Sequence, residues 1–172
     1  TNSARYPRAT LLNLPGYSQG PLLVSAQPVL NGSNGSWGGL GLSVSTLNGT
    51  TLSTQTFSSS PGGDTLHQIP SAVVSTDSKV FILDKNGDIN STTFSDILLL
   101  TTGTWNGSSV SWSRQFISLP TGTGSNGKAI IQDMTMAFDP TGQIGYIVAL
   151  THTNFISDPG STNLPVVLKT TD

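Results

Sequence analysis

The 172-residue sequence contains no cysteine and no glutamate, and only 9% of its residues are charged. Without cysteine, a disulfide framework and a thiolate metal site are excluded. Typical soluble domains are about 25% charged, so the polar surface here must come from Ser, Thr, Asn, Gln and Gly. The net charge of −2, with scattered basic residues, argues against nucleic-acid binding and electrostatic membrane contact. No apolar run approaches the roughly 18 residues of a membrane span.

Helix-forming signals are also scarce. Thr, Ser, Asn and Gly are poor helix formers, and no window keeps an apolar period of 3.6 residues. We therefore expect almost no helix. Few charges, no cysteine and many hydroxyl and amide side chains favour an extracellular or cell-surface protein. The sequence begins at Thr1 without Met, as expected of a processed or partial chain.

The middle of the sequence predicts four short strands in succession. They cover residues 69–76, 79–84, 96–105 and 108–118. Asn106-Gly107 separates the last two strands and favours a hairpin, because both residues tolerate the positive φ of a tight turn. Four consecutive antiparallel strands form one blade of a β-propeller.

The same layout is found before and after this stretch. Predicted strands cover 9–14, 22–28, 40–47 and 51–57 in the first unit, and 134–138, 144–150 and 165–170 in the third. The third unit therefore lacks a fourth strand. We predict an all-β chain, a single segment over residues 1–172, forming a partial antiparallel β-propeller of about three four-stranded blades at 9–57, 69–118 and 129–172. A two-sheet β-sandwich is the alternative.

The strands of the middle unit include continuous apolar runs, such as residues 80–83 and 97–100. Such runs are typical of strands covered on both faces, as in stacked blades. Three blades alone would expose an apolar flank. We therefore expect the remainder of the chain's own polypeptide, or a neighbouring chain, to complete the arrangement.

Five segments together resemble a known family. They are RYPRATLLN at 5–13, WGGLG at 37–41, GTWN at 103–106, DPTGQIGY at 139–146 and LKTTD at 168–172. This series is similar to the N-terminal propeller of large surface proteins exported by the type IX secretion system of Bacteroidota. The resemblance implies a secreted, cell-surface location within a longer polypeptide, and places the first half of an Asp-box turn at Thr170-Thr171-Asp172. It implies no established chemistry.

Sialidases also have Asp-box propellers, and residues 69–74 resemble the Arg-Ile-Pro stretch at the start of their catalytic domains. Gln68 stands where that arginine would lie, and glutamine cannot supply a guanidinium to clamp a carboxylate. The chain has no glutamate to pair with a tyrosine nucleophile, and no Gly-x-Ser-x-Gly motif. We predict no catalytic residues within the chain.

One short motif could bind a metal. Asp84, Asn86 and Asp88 follow the Asp-x-Asn-x-Asp pattern that opens a calcium loop. Ile89 and Ser95 occupy the positions where an EF-type loop needs glycine and a bidentate acid. Either the segment is a turn closed by Asn86-Gly87, or Asp84, Asn86 and Asp88 form a Ca²⁺ site. No other cofactor is predicted.

Two further sets of residues suggest surface chemistry. The resemblance to Bacteroidota proteins implies O-glycosylation at Asp-Ser/Thr-aliphatic motifs, and Thr65 lies in one of them, between Asp64 and Leu66. Trp37, Trp105 and Trp112 could stack on sugars, or pack between sheets as tryptophan does in all-β proteins.

These observations predict a non-catalytic, secreted or cell-surface propeller that acts as a scaffold or adhesin-like binding module, with glycans as possible ligands. Its polar, uncharged loops would form the binding surface. One alternative is a fragment of a sialidase-like enzyme whose catalytic acids lie outside this chain. Another is a self-assembling fibre or sheath subunit in which open sheet edges pair between copies.

Overall fold

The computed structural model describes residues 7–31, 36–58, 68–86, 97–119, 130–152 and 163–171. These residues form eleven β-strands. The strands are β1 (Arg8–Leu12), β2 (Leu22–Asn31), β3 (Ser36–Thr46), β4 (Thr51–Ser58), β5 (Gln68–Ser75), β6 (Lys79–Asn86), β7 (Ile97–Trp105), β8 (Val110–Ser118), β9 (Ile130–Phe138), β10 (Ile144–His152) and β11 (Asn163–Thr171). Within these ranges, no helix has the length and apolar character needed to cross a membrane.

Each of the eleven predicted strands is present, although several ends differ. The largest differences are at β3, which begins at Ser36 instead of Leu40, and at β9, which begins at Ile130 instead of Met134. In both cases backbone pairing carries the strand past its alternating apolar pattern, since Ser36 pairs with Asn31 and Ile130 pairs with His152.

The strands form three antiparallel sheets, in which neighbours in sequence are neighbours in space. The first sheet has the order β1-β2-β3-β4, the second β5-β6-β7-β8, and the third β9-β10-β11. The prediction of an all-β chain with antiparallel four-stranded sheets is confirmed, and the described residues of the third sheet form three strands.

Tight turns join the strands at one end of each sheet. Gly49 and Gly107 have φ of 91° and 101° in the Asn-Gly turns, which is the conformation that selects glycine there. In the second of these turns, Asn106 Oδ1 accepts hydrogen bonds from the backbone N–H groups of Ser108 and Ser109, at 3.1 and 2.9 Å. The Asp139-Pro-Thr-Gly142 turn closes with a 2.9 Å hydrogen bond from the Gly142 N–H to the Asp139 carbonyl.

The second sheet lies between the other two. Val80 and Ile82 of β6 pack into one apolar cluster with the first sheet, and Phe81 and Leu83 pack into another with the third sheet. All four side chains are buried. Continuous apolar runs in the middle unit therefore mark strands covered on both faces, as predicted. We call the contact between the first and second sheets the first interface, and that between the second and third sheets the second interface.

The first strands of the three sheets lie beside one another. Ser75 Oγ of β5 donates a 2.6 Å hydrogen bond to the Leu11 carbonyl of β1, and Arg8 Nε donates one of 3.2 Å to the Ser71 carbonyl. β5 also contacts β9. The sheets thus stack in the order in which the chain forms them, with β1, β5 and β9 adjacent.

Candidate functional site

The described residues contain a buried ion pair within the first interface. Arg114 Nη2 lies 2.8 Å from Asp84 Oδ2. The side chain of Asp84 is 0% exposed, and that of Arg114 is 10% exposed. A fully buried carboxylate is rare unless it is paired, so this pair is the most unusual electrostatic feature of the described chain.

The two-residue period of the strands brings these side chains together. Asp84 follows Val80 and Ile82 on the face of β6 that packs against the first sheet. Arg114 of β8 is directly opposite Thr101 of β7, which is opposite Ile82. The arginine therefore reaches across β7 to a strand with which its own strand does not pair.

The first sheet contributes an aromatic ring to the same site. The guanidinium carbon of Arg114 lies 5.2 Å from the ring centroid of Phe57 in β4, within the range of a cation–π contact. Arg114 thus joins two strands of the second sheet to the edge strand of the first.

Burial governs the electrostatics of this site. Desolvation raises the pKa of Asp84 to about 7, against the attraction and hydrogen bond of Arg114, which lower it. Among the described residues, Asp84 Oδ1 and the buried Thr101 hydroxyl have no hydrogen-bond partner. One carboxylate oxygen is therefore satisfied and the other is desolvated, which favours the protonated acid.

This geometry suits a structural role for Arg114. A substrate carboxylate is clamped by a guanidinium that presents two parallel N–H donors to an open cleft. Here the guanidinium is nearly buried, donates to Asp84 and lies against Phe57. Through its contact with Phe57, Arg114 also links the second sheet to the first.

The predicted Ca²⁺ ligands fall partly outside the described residues. Asn86 ends β6, but its side chain and all of Asp88 lie outside them. The structure gives Asp84 a different charged partner, Arg114. Within the described ranges, no three His, Cys, Asp or Glu side chains are grouped to hold a metal ion. The calcium site stays a prediction, and it would compete with Arg114 for Asp84.

Two of the three tryptophans pack between sheets. Trp105 and Trp112 are half-buried against the cluster of the first interface. The Trp112 ring lies over Gly103, where a Cβ atom would come within 2.4 Å of it, and Trp105 meets Tyr17 edge-to-face at 5.3 Å between centroids. The sequence left two interpretations open for the tryptophans, which were packing between sheets and stacking on sugars. The contacts of Trp105 and Trp112 are of the packing kind. The side chain of Trp37, and Thr65, lie outside the described residues.

The carboxylate of Asp139 is hydrogen-bonded within its own turn. Its Oδ1 accepts hydrogen bonds of 2.8 Å from the backbone N–H groups of Gln143 and Ile144. The Thr141 hydroxyl donates to Oδ2, and this bond is the largest of the effects that lower the pKa of Asp139. The carboxylate stabilises the turn by replacing backbone hydrogen-bond partners.

Sequence reasoning missed the pairing of Asp84 with Arg114. A usable signal was present, since Arg114 shares a face of its strand with Val110 and Trp112, and Asp84 shares one with Ile82. What the sequence does not provide is the register that sets these two faces against the same neighbouring sheet.

The third sheet has an exposed apolar face. Ile144, Tyr146 and Val148 alternate along β10 with the buried Gly145, Ile147 and Ala149. Val167 of β11 pairs with Val148 and is on the same face. We call these exposed side chains, Ile144, Tyr146, Val148 and Val167, the open face.

The chain matches no protein-family model and no curated protein. Among solved structures, it is similar to the sialidase of Trypanosoma rangeli in complex with the inhibitor DANA, with a TM-score of 0.46 and 18% sequence identity. The match covers 97% of this chain and 31% of the sialidase chain, so this chain spans about a third of that protein's length.

Proposed function

We propose that the chain is a non-catalytic scaffold and adhesin-like binding module, built as part of a β-propeller in a secreted or cell-surface protein. The observation that carries this proposal is that one stacking arrangement occurs twice. The second sheet meets the first in the same way as the third meets the second.

The turns allow the two interfaces to be compared position by position. The Thr76 N–H donates to the Lys79 carbonyl at one hairpin, and the Asp139 N–H donates to the Ile144 carbonyl at the other. Three residue pairs inward from these hydrogen bonds, Val73 pairs with Ile82 and Met136 pairs with Ile147.

Each of these pairs packs toward the preceding sheet. Repetition of four-stranded sheets with their first strands together is the arrangement of propeller blades. A third sheet in the same relation supports the propeller over a sandwich, in which two sheets pack face to face.

The contacts of the charged residues support a scaffold. Asp84 and Arg114 pair inside the first interface, Asp139 stabilises a turn, and Arg8 bonds to the backbone of β5. Each of these groups is used in holding elements together, in agreement with a structural module.

The tight turns support a binding role through uncharged groups. The turns of residues 47–50, 76–79, 106–109 and 139–143, which we call the turn rim, lie at the same end of the three sheets. Two of these turns, 76–79 and 139–143, meet where the Asp77 N–H donates to the Pro140 carbonyl at 3.3 Å. Exposed amide and hydroxyl groups of this rim, such as those of Ser108 and Gln143, suit the hydroxyl groups of a neutral glycan.

The test is a glycan array probed with the wild-type protein and with two double variants. We expect binding to neutral oligosaccharides that is at least tenfold weaker when Ser108→Ala and Gln143→Ala are combined. Thr54→Ala combined with Thr56→Ala, on exposed positions of β4, is the matched control and should bind as wild type. Equal binding by all three proteins would remove the rim from the proposal. Hydrolysis of a fluorogenic sialoside above background would overturn the non-catalytic role.

A further inference from the structure

The open face of the third sheet groups four of the large apolar side chains that the described strands leave exposed. Its members, Ile144, Tyr146, Val148 and Val167, form one contiguous set across β10 and β11. A contiguous apolar patch of this kind marks an interaction surface, whereas single exposed apolar residues are ordinary.

In the second sheet, the side chains at the positions that correspond to the open face are buried. Counting inward from the equivalent hairpin hydrogen bonds, three side chains of the second sheet correspond to three of the open face: Phe81 to Tyr146, Leu83 to Val148 and Leu100 to Val167. The first member of each pair is 4%, 0% and 6% exposed, and the second is 46%, 39% and 63% exposed. In the second sheet these positions are buried because the third sheet packs on them.

We infer that the open face is an interface covered by a further antiparallel β-sheet of the same polypeptide, stacked on the third sheet as the third is stacked on the second. The inference rests on the propeller arrangement proposed above. The occupant is placed in the same polypeptide because the first three sheets stack in the order in which the chain forms them. Continuity of that order assigns the next position to the next sheet in the chain.

The second interface also indicates the chemistry of the covering sheet. The ring of Phe81 stacks on that of Phe138, with centroids 3.7 Å apart and an interplanar angle of 4°. Phe138 ends β9 and lies over Gly145, where a Cβ atom would come within 2.3 Å of the ring.

Tyr146 holds the position of Phe81. The covering sheet should therefore end its first strand with an aromatic or other flat apolar side chain, over a glycine of its second strand. The ammonium group of Lys169 lies 6.0 Å from the centroid of the Tyr146 ring. A hydrogen-bond acceptor of the covering sheet is expected near this ammonium group.

The experiment compares two substitutions in the polypeptide as the cell produces it. Val167→Lys places a charge on the open face, and Leu47→Lys places one in the exposed turn between β3 and β4. We expect Val167→Lys to lower the Tm by about 10 °C, as for a buried charge. Leu47→Lys should change it by about 2 °C or less, as at an exposed position. Equal, small shifts would overturn the inference.

A measurement on the wild-type protein keeps the test valid if Val167→Lys does not fold. Hydroxyl-radical footprinting should leave Tyr146 at least tenfold less modified than expected for an exposed tyrosine, with Leu47 of the turn between β3 and β4 modified freely. The protection should not change on hundredfold dilution. Protection that disappears on dilution would assign the face to a second copy or another chain, and so overturn the inference. Sialoside hydrolysis would remove the proposed function without altering Tyr146 protection.

Discussion

The two interfaces of the second sheet perform the same task with different chemistry. The first interface combines branched aliphatic side chains with a buried ion pair, Asp84–Arg114, and a buried Thr101 hydroxyl. The second is apolar, with Met134 and Met136 beside the stacked rings of Phe81 and Phe138. The second sheet therefore presents a face with a buried ion pair to one neighbour and an apolar face to the other.

The comparison shows that stacking depends on register and shape more than on the chemistry between the sheets. It also predicts different sensitivities. A buried ion pair is costly to break because removal of one partner leaves an uncompensated charge. An apolar contact rich in methionine adapts to small changes, since methionine is flexible and fills irregular gaps. The first interface should therefore respond strongly to substitution and pH, and the second should respond weakly.

The largest effect is expected from Arg114→Met. This change keeps much of the side-chain volume but leaves Asp84 buried without its cation, so we expect a loss of about 3–5 kcal/mol in the free energy of unfolding at pH 8. Urea denaturation measures it. Arg8→Met is the control, because that arginine is exposed and bonds to a backbone carbonyl. A loss below about 1 kcal/mol for Arg114→Met would mean that the ion pair does not distinguish the interfaces.

The next effect concerns the pH dependence of the wild-type protein. The pKa of Asp84 is raised from 3.8 to about 7 on folding. Between these two values the folded chain holds a proton that the unfolded chain has released, so stability falls as pH rises through this window. At about 1.4 kcal/mol per pKa unit, the change is at most about 4 kcal/mol.

Asp139 has the opposite effect on the pH dependence of stability. Its lowered pKa contributes stability that is present above its unfolded value and is lost as the pH falls through its folded value. Denaturation curves from pH 3 to pH 9 should therefore show a maximum on the acid side of neutrality. Asp84→Asn should remove the decline between pH 4 and pH 7. A decline that persists in this variant would assign it to another group.

Much of the fold could be predicted from the sequence, because its signals are local. The two-residue period, the apolar runs at residues 80–83 and 97–100, and the Asn-Gly turns depend on near neighbours in the chain. The division into three sheets followed from the same pattern. Strand ends were less predictable, as β3 shows, because pairing with Asn31 extends it beyond its own pattern.

The candidate site could not be predicted in the same way. Asp84 and Arg114 are 30 residues apart, on strands that do not pair with each other. Their contact depends on the registers of β6 with β7 and of β7 with β8, and on which face meets the first sheet. The sequence indicated the faces of both strands but not their relation, so the ion pair of Asp84 with Arg114 was not predicted.

A smaller effect is expected in the second interface. Met136→Leu nearly conserves volume in an apolar cluster, so we expect a loss of at most about 1.5 kcal/mol, independent of pH between 5 and 8. Urea denaturation at both pH values checks it, with Met134→Leu as a second variant of the same cluster. A loss above about 3 kcal/mol would show that the second interface is as exacting as the first.

The smallest effect should come from Gly107→Ala, which lies outside both interfaces. Gly107 has φ of 101° in the turn between β7 and β8, and a Cβ atom there would meet nothing within 4 Å. The cost is therefore conformational alone, about 1 kcal/mol. Urea denaturation should give the same loss at pH 5 and pH 8, because no titratable contact is involved. This variant reports the intrinsic cost of backbone strain in the second sheet. A pH-dependent loss would therefore mean that the turn is coupled to the Asp84–Arg114 ion pair. The contrast between the two interfaces would then extend along β8.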